Sequence, residues 1–190
     1  MPVKYPFRIR IIDRAKKYAE QSLRNTHDYG GWKDESQTDR KRQRIMTGRF
    51  GQLWVYEFCK LNNIPSEHDN SSVYEADDFD IKIMGYSVDV KTTTVNGICC
   101  QVNPALKSKN IDYYCFLKTD KQYSFSEPLG LIEKGEYYKN AILIPNGAKF
   151  PGTSIENKYH SGSYILEDIA CLIPFEEGLF SLCRPLQSIA

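Results

Sequence analysis

A chain of 190 residues has the size of one domain and can bury a core without disulfide or metal staples. With 41% hydrophobic, 13% aromatic and 26% charged residues it has a globular composition, which excludes global disorder. No run approaches the roughly 18 apolar residues of a membrane span, and the opening MPVKYPFRIRII lacks an apolar stretch with a small-residue cleavage site, so a cytoplasmic protein with no membrane partner is expected. The net charge of +1 conceals a division, because residues 1–62 carry a net +7 and residues 63–190 a net −6. The densest basic stretch, Arg40, Lys41, Arg42, Arg44 and Arg49, is able to follow a phosphate backbone, although a solvated helix face has the same composition.

In chain order, residues 8–24 place Ile11, Ile12, Ala15, Tyr18, Ala19 and Leu23 near a 3.6-residue period, which predicts an amphipathic helix. A loop around Gly30-Gly31 follows. A second helix is expected from about 36 to 62, with Phe50, Leu53, Trp54, Phe58 and Leu61 on one stripe and Pro65 as its stop. Gly48 and Gly51 weaken its middle by about 1 kcal/mol each, so they predict either close approach of another segment or a break at Thr47-Gly48. After Pro65 the period becomes two. Residues 79–83 and 87–93 alternate around Met84-Gly85, a β-hairpin pattern, and further strands are expected at 98–102, 111–118, 123–125, 129–132 and 164–173, with the longest loop at 145–162. Helices first and strands afterwards give an α/β or α+β domain with a mixed sheet. The cysteines form no CxxC pair, and His27, His68 and His160 lack ligand spacing, so reduced thiols and no zinc site are expected.

The hairpin carries the chemistry. With Met84-Gly85 as a two-residue turn, paired positions sum to 169, which sets Asp80 opposite Asp89 and Asp78 opposite Lys91 on one face, while Phe79, Ile81, Val88 and Val90 point to the core. Two carboxylates facing each other repel and push one pKa upward, and a divalent cation offsets that repulsion. Mg²⁺ asks for one or two carboxylates and leaves room for a phosphate, and a lysine two residues along can position the attacking water. On spacing alone, a solvent-facing hairpin with Asp78 and Lys91 as a cross-strand pair fits as well.

The run from Asp80 to Thr92, with Asp89-Val90-Lys91 as its centre, resembles the core of the PD-(D/E)xK nuclease superfamily, the restriction-endonuclease-like fold. That resemblance implies a mixed β-sheet flanked by helices, with N-terminal helices preceding the core hairpin. The resemblance covers roughly residues 44–175, and the organisation expected is one nuclease domain over 1–190, with an N-terminal helix and loop at 1–35, the core at 36–175 and a tail at 176–190. It further implies a Mg²⁺-dependent DNA endonuclease, Mn²⁺ substituting. Asp80 and Asp89 would bind the metal, the Val90 carbonyl would add a ligand, and Lys91 would be the catalytic lysine. Asp78 is the second choice for the first acid. The helix that precedes the hairpin in the family bears a glutamate, and here Gln52 has the expected distance while Glu57 has the expected chemistry; the rival for Glu57 is a buried salt bridge to an N-terminal arginine. Gln101 would join the basic run at the nucleic acid, and a homodimer is left open. A non-catalytic nucleic-acid-binding module of the same fold, or a nuclease acting on RNA, are the alternatives.

Overall fold

The computed structural model describes residues 8–27, 35–68 and 80–183. Among these, helix α1 (Arg8–His27) and helix α2 (Glu35–Leu61) come first. Strands β1 (Ser66–His68), β2 (Ile81–Ile83), β3 (Tyr86–Thr94), β4 (Gln101–Val102), β5 (Tyr113–Thr119) and β6 (Ser126–Glu133) follow, then helix α3 (Lys134–Asn140), strands β7 (Ile142–Ile144) and β8 (Ser163–Ile165), and helix α4 (Phe175–Leu182). The main sheet runs β1-β2-β3-β5-β6, antiparallel except for the parallel β3/β5 pair, and a second sheet runs β4-β8-β7. The fold is therefore mixed α/β, with helices flanking a mixed five-stranded sheet. No helix among the described residues is long and apolar enough to cross a membrane.

Both faces of the main sheet are covered, as a parallel pair requires. On one face, Phe50, Leu53, Trp54 and Phe58 of α2 and Ile11 and Ala15 of α1 pack on Ile81, Val88, Val90 and Leu117. On the other, Tyr114, Phe116 and Ile132 pack against Tyr137 of α3 and Val102 of the second sheet. Strand alternation then sends Val88 and Val90 toward the helices and Asp89 and Lys91 toward the Tyr114 and Phe116 side, where register pairs them with those two residues.

Helix α2 runs unbroken through Gly48 and Gly51, and the two glycines differ in cause. A Cβ on Gly51 would lie 1.7 Å from Thr92 Oγ1, so this glycine lets β3 approach the helix, whereas a Cβ on Gly48 would meet nothing within 4 Å. The helix stops at Asn63 rather than at Pro65. Asn63 takes φ +54°, the Ile64 amide reaches back to the Cys59 carbonyl at 2.9 Å, and the Asn63 amide bonds the Lys60 carbonyl at 3.2 Å, a Schellman termination. Leu61, the last helical residue, is 55% exposed, off the apolar stripe expected for it.

The later elements depart further from the sequence reading. Residues 123–125 are not a strand, because the Asp120 side chain accepts the Ser124 amide at 2.6 Å and Tyr123 turns to φ +54°. Residues 98–102 and 164–173 shorten to β4 and to β8 followed by a 3₁₀ turn at Ile169–Cys171. Helices α3 and α4 have no counterpart in the sequence pattern, and α4 fills the first half of the stretch expected as a tail. Every cysteine is an unpaired thiol among the described residues.

Candidate active site

The hairpin turn is built as its residues dictate. Met84 and Gly85 have φ of +52° and +89°, the doubly left-handed geometry of a type I′ turn. The ladder pairs Ile81 with Val88, Lys82 with Ser87 and Ile83 with Tyr86, each pair summing to 169. Asp80 stands one residue before β2, next to Asp89 across the ladder. There its Oδ2 accepts the Val90 amide at 2.7 Å, which ties the carboxyl to β3. Asp78 and Phe79 lie outside the described residues.

Four side chains converge at this end of the sheet. Gln52 of α2 donates from Nε2 to Asp80 Oδ1 at 2.6 Å. Asp89 lies near enough for its charge to act on the Asp80 carboxyl, and it forms an ion pair with Lys91 Nζ. Arg49 Nη1 holds the back of Gln52 by donating to Oε1 at 2.9 Å, and its guanidinium lies 4.3 Å from the Tyr18 ring centroid, so α1 props the glutamine from behind. The proximity of α2 that makes the Gln52 contact possible is the Gly51 notch against Thr92.

The electrostatics follow from this packing. Burial and the Asp89 charge push the Asp80 carboxyl up to about 7, against the opposing pull of Lys91 and the Val90 amide. Burial pulls the Lys91 ammonium down, but Asp89 and Asp80 outweigh it, so its pKa is raised and it stays charged. Asp89 itself is only 7% exposed, and its Oδ2, beside Lys91, has no well-formed hydrogen bond. A protonated Asp80 and the Asp89–Lys91 ion pair are together close to neutral, so a divalent cation would bind by displacing the Asp80 proton or the Lys91 contact. Two oxygen donors suit Mg²⁺, which needs few protein ligands. Among the described residues no group of three or more His, Cys, Asp or Glu converges, so any ion would rest on this pair, the Val90 carbonyl and solvent.

Glu57 lies elsewhere. It is five residues from Gln52, which turns it roughly 140° around the helix. There it meets Arg14 Nη1 at 3.1 Å and Arg10 Nη2 at 3.3 Å of α1. Its buried carboxylate thus pairs with N-terminal arginines, the alternative the apolar stripe had offered, and the contact with Asp80 belongs to Gln52.

The basic run divides by helical phase. Arg40 and Arg42 are exposed, with Arg42 paired to Asp39, and Lys41 is half-buried. Arg49 is engaged with Gln52 and Tyr18. Arg44 stands at a cleft of about 330 Å³ that is also lined by Lys91, Thr92, Thr93, Gln101 and Tyr159. Gln101 donates to Ser163 Oγ at 2.9 Å on the cleft wall, so the structure brings Arg44, Gln101 and Lys91 to one hollow. Tyr159 and Ser163 were not singled out from sequence. For Tyr159 the one signal is the length of the 145–162 loop, since long loops without regular structure inside a domain are disproportionately functional; Ser163, at the start of β8, has none.

Compared with known proteins, the chain matches no family model, no curated protein and no solved structure.

Proposed function

We propose that this chain is a divalent-metal-dependent DNA endonuclease with a restriction-endonuclease-like core. The observation that carries the reading is the juxtaposition of Asp80, Asp89 and Lys91, two neighbouring buried carboxyls whose mutual repulsion a divalent cation would relieve, with a lysine beside them. The pattern of an acid before one strand, a tight turn, and acid-x-lysine on the next is the one that carries the PD-(D/E)xK resemblance. Asp80 and Asp89 would hold Mg²⁺ or Mn²⁺, with the Val90 carbonyl as a further ligand. When bound, the ion would supply Lewis-acid polarisation of the scissile phosphate and a lowered pKa for water. Lys91 keeps its proton beside Asp89 and is placed to orient the attacking water or to donate to phosphoryl oxygens as charge develops. Arg44, which lines the same cleft, contributes a cation for a neighbouring phosphate, and the exposed Arg40, one helical turn before it, extends that face along α2.

One observation favours a second reading, a nucleic-acid-binding module without catalysis: Gln52 is a neutral amide where the resemblance expects a glutamate, and it bonds Asp80 directly. Incubation of circular DNA and of RNA with Mg²⁺, Mn²⁺ or EDTA separates the readings. Metal-dependent cleavage of DNA supports the endonuclease, cleavage of RNA alone reassigns its substrate, and binding without cleavage that Gln52→Glu converts to cleavage supports the lapsed enzyme.

A further inference from the structure

Resting on the nuclease reading, we infer that the cleft beside Lys91 is a pocket for one unpaired nucleotide, so that the substrate is single-stranded DNA or a single-stranded segment of a larger DNA. At about 330 Å³ the cleft lies at the lower end of the roughly 300–1,000 Å³ found for small-ligand sites, the scale of a nucleotide rather than of a duplex. Two of its lining residues, Arg44 and Tyr159, are joined by a hydrogen bond from Arg44 Nη2 to the Tyr159 hydroxyl at 3.3 Å, which links α2 to the 145–162 loop.

The lining has the chemistry of a base rather than of bare phosphate. The Tyr159 ring is 39% exposed and has the Arg44 guanidinium 5.9 Å from its centroid, which supplies an aromatic face and a planar cation for stacking. Ile98 and Leu106 add apolar wall. Gln101 uses Nε2 on Ser163 and leaves Oε1 as an acceptor without a hydrogen bond among the described residues. Asn103 uses Oδ1 on the Ala105 amide at 2.9 Å and on Ser161 Oγ at 3.4 Å, leaving its Nδ2 as a donor. An acceptor and a donor on one wall match the alternating edge of an extruded base, which a paired base does not present. Lys91 lines this cleft and also pairs with Asp89, so a nucleotide seated here has its phosphate beside the acid pair.

The test is fluorescence anisotropy of the full chain with a labelled 12-nucleotide single strand and with the same sequence as a duplex, in Ca²⁺, alongside cleavage of both in Mg²⁺. The single strand should bind at least tenfold tighter. Tyr159→Ala should weaken it about tenfold through the lost stacking face, while Tyr159→Phe, which keeps the ring and loses the bond to Arg44, should retain most of the affinity. Gln101→Ala should weaken the single strand and leave the duplex unchanged. Equal binding of strand and duplex, or a Tyr159→Ala variant with wild-type affinity, overturns the pocket. Metal-dependent cleavage of both substrates at equal rates overturns it while leaving the nuclease reading in place. Strand-selective binding with no cleavage in any metal keeps the pocket and removes the nuclease.

Discussion

Replacing Asp80 with asparagine isolates the charge conflict at the centre of the candidate site. In the wild type, burial and Asp89 raise the Asp80 carboxyl from its ordinary 3.8 to about 7. Below the lower value both folded and unfolded chains hold this proton. Between the two values the unfolded chain has released it and the folded chain has not, so stability falls as pH rises through this window and levels off above it. At 1.36 kcal/mol per pH step the full window costs on the order of 4 kcal/mol, of which roughly 2–3 kcal/mol falls between pH 5 and pH 8. Asparagine has no such proton; its oxygen can serve the Val90 amide, while its amide nitrogen faces Gln52 Nε2 and costs the variant a pH-independent hydrogen bond, so the gain is read in the pH dependence. The Asp80→Asn variant should therefore gain about 2–3 kcal/mol relative to wild type between pH 5 and pH 8. Urea unfolding in EDTA, followed by the fluorescence of Trp54, which is buried between Phe58 and Phe175, reads this gap. Adding Mg²⁺ at about 100 times its Kd should then stabilise wild type by about 2.7 kcal/mol and the variant by little. Parallel pH curves for the two proteins, together with equal metal shifts, would refute the reasoning.

The remaining predictions address the helices. Gly48→Ala should stabilise the protein by about 0.5–1 kcal/mol, because the added methyl meets only open space, whereas Gly51→Ala should destabilise it by about 1–3 kcal/mol through its clash with Thr92; thermal melts read both. Glu57→Gln should lower stability by about 1–3 kcal/mol by removing the pairs with Arg14 and Arg10, yet leave Mn²⁺ affinity by calorimetry unchanged, and a tenfold loss of that affinity would return Glu57 to the metal site. Alanine at Arg40, Lys41, Arg42 and Arg44 together should flatten the salt dependence of DNA affinity by roughly 0.7–0.9 per lost phosphate contact, whereas Arg49→Ala, which unprops Gln52, should leave that slope unchanged.

The hairpin and its register were readable because they are local. A turn with Gly85 at its second position and strict alternation on both sides fix which residues face each other, and the acid pair then follows from arithmetic. The two N-terminal helices were readable for the same reason, through a long apolar period. What escaped was set by tertiary contact or by short elements. Gln52 and Glu57 could be separated only by knowing that Gly51 draws α2 onto β3 while Glu57 turns toward α1. The seven-residue α3 and eight-residue α4 are too short for periodicity to declare them, although Pro174 followed by Glu176 and Glu177 is a helix-start signal. The cleft joins residues 115 positions apart, Arg44 and Tyr159, and no local pattern encodes such a meeting.

The most direct test of the central claim is the cleavage of circular DNA, both single-stranded and supercoiled, by the purified chain in Mg²⁺, in Mn²⁺ and in EDTA, with Asp89→Ala and Lys91→Ala alongside. The account predicts linear products or nicks only with metal, and a rate lower by about 10² or more in each variant, since Asp89 would help hold the ion and Lys91 would serve the charge that develops on the phosphate. Cleavage that persists in EDTA, variants that cut at the wild-type rate, or intact circles in every metal would contradict it.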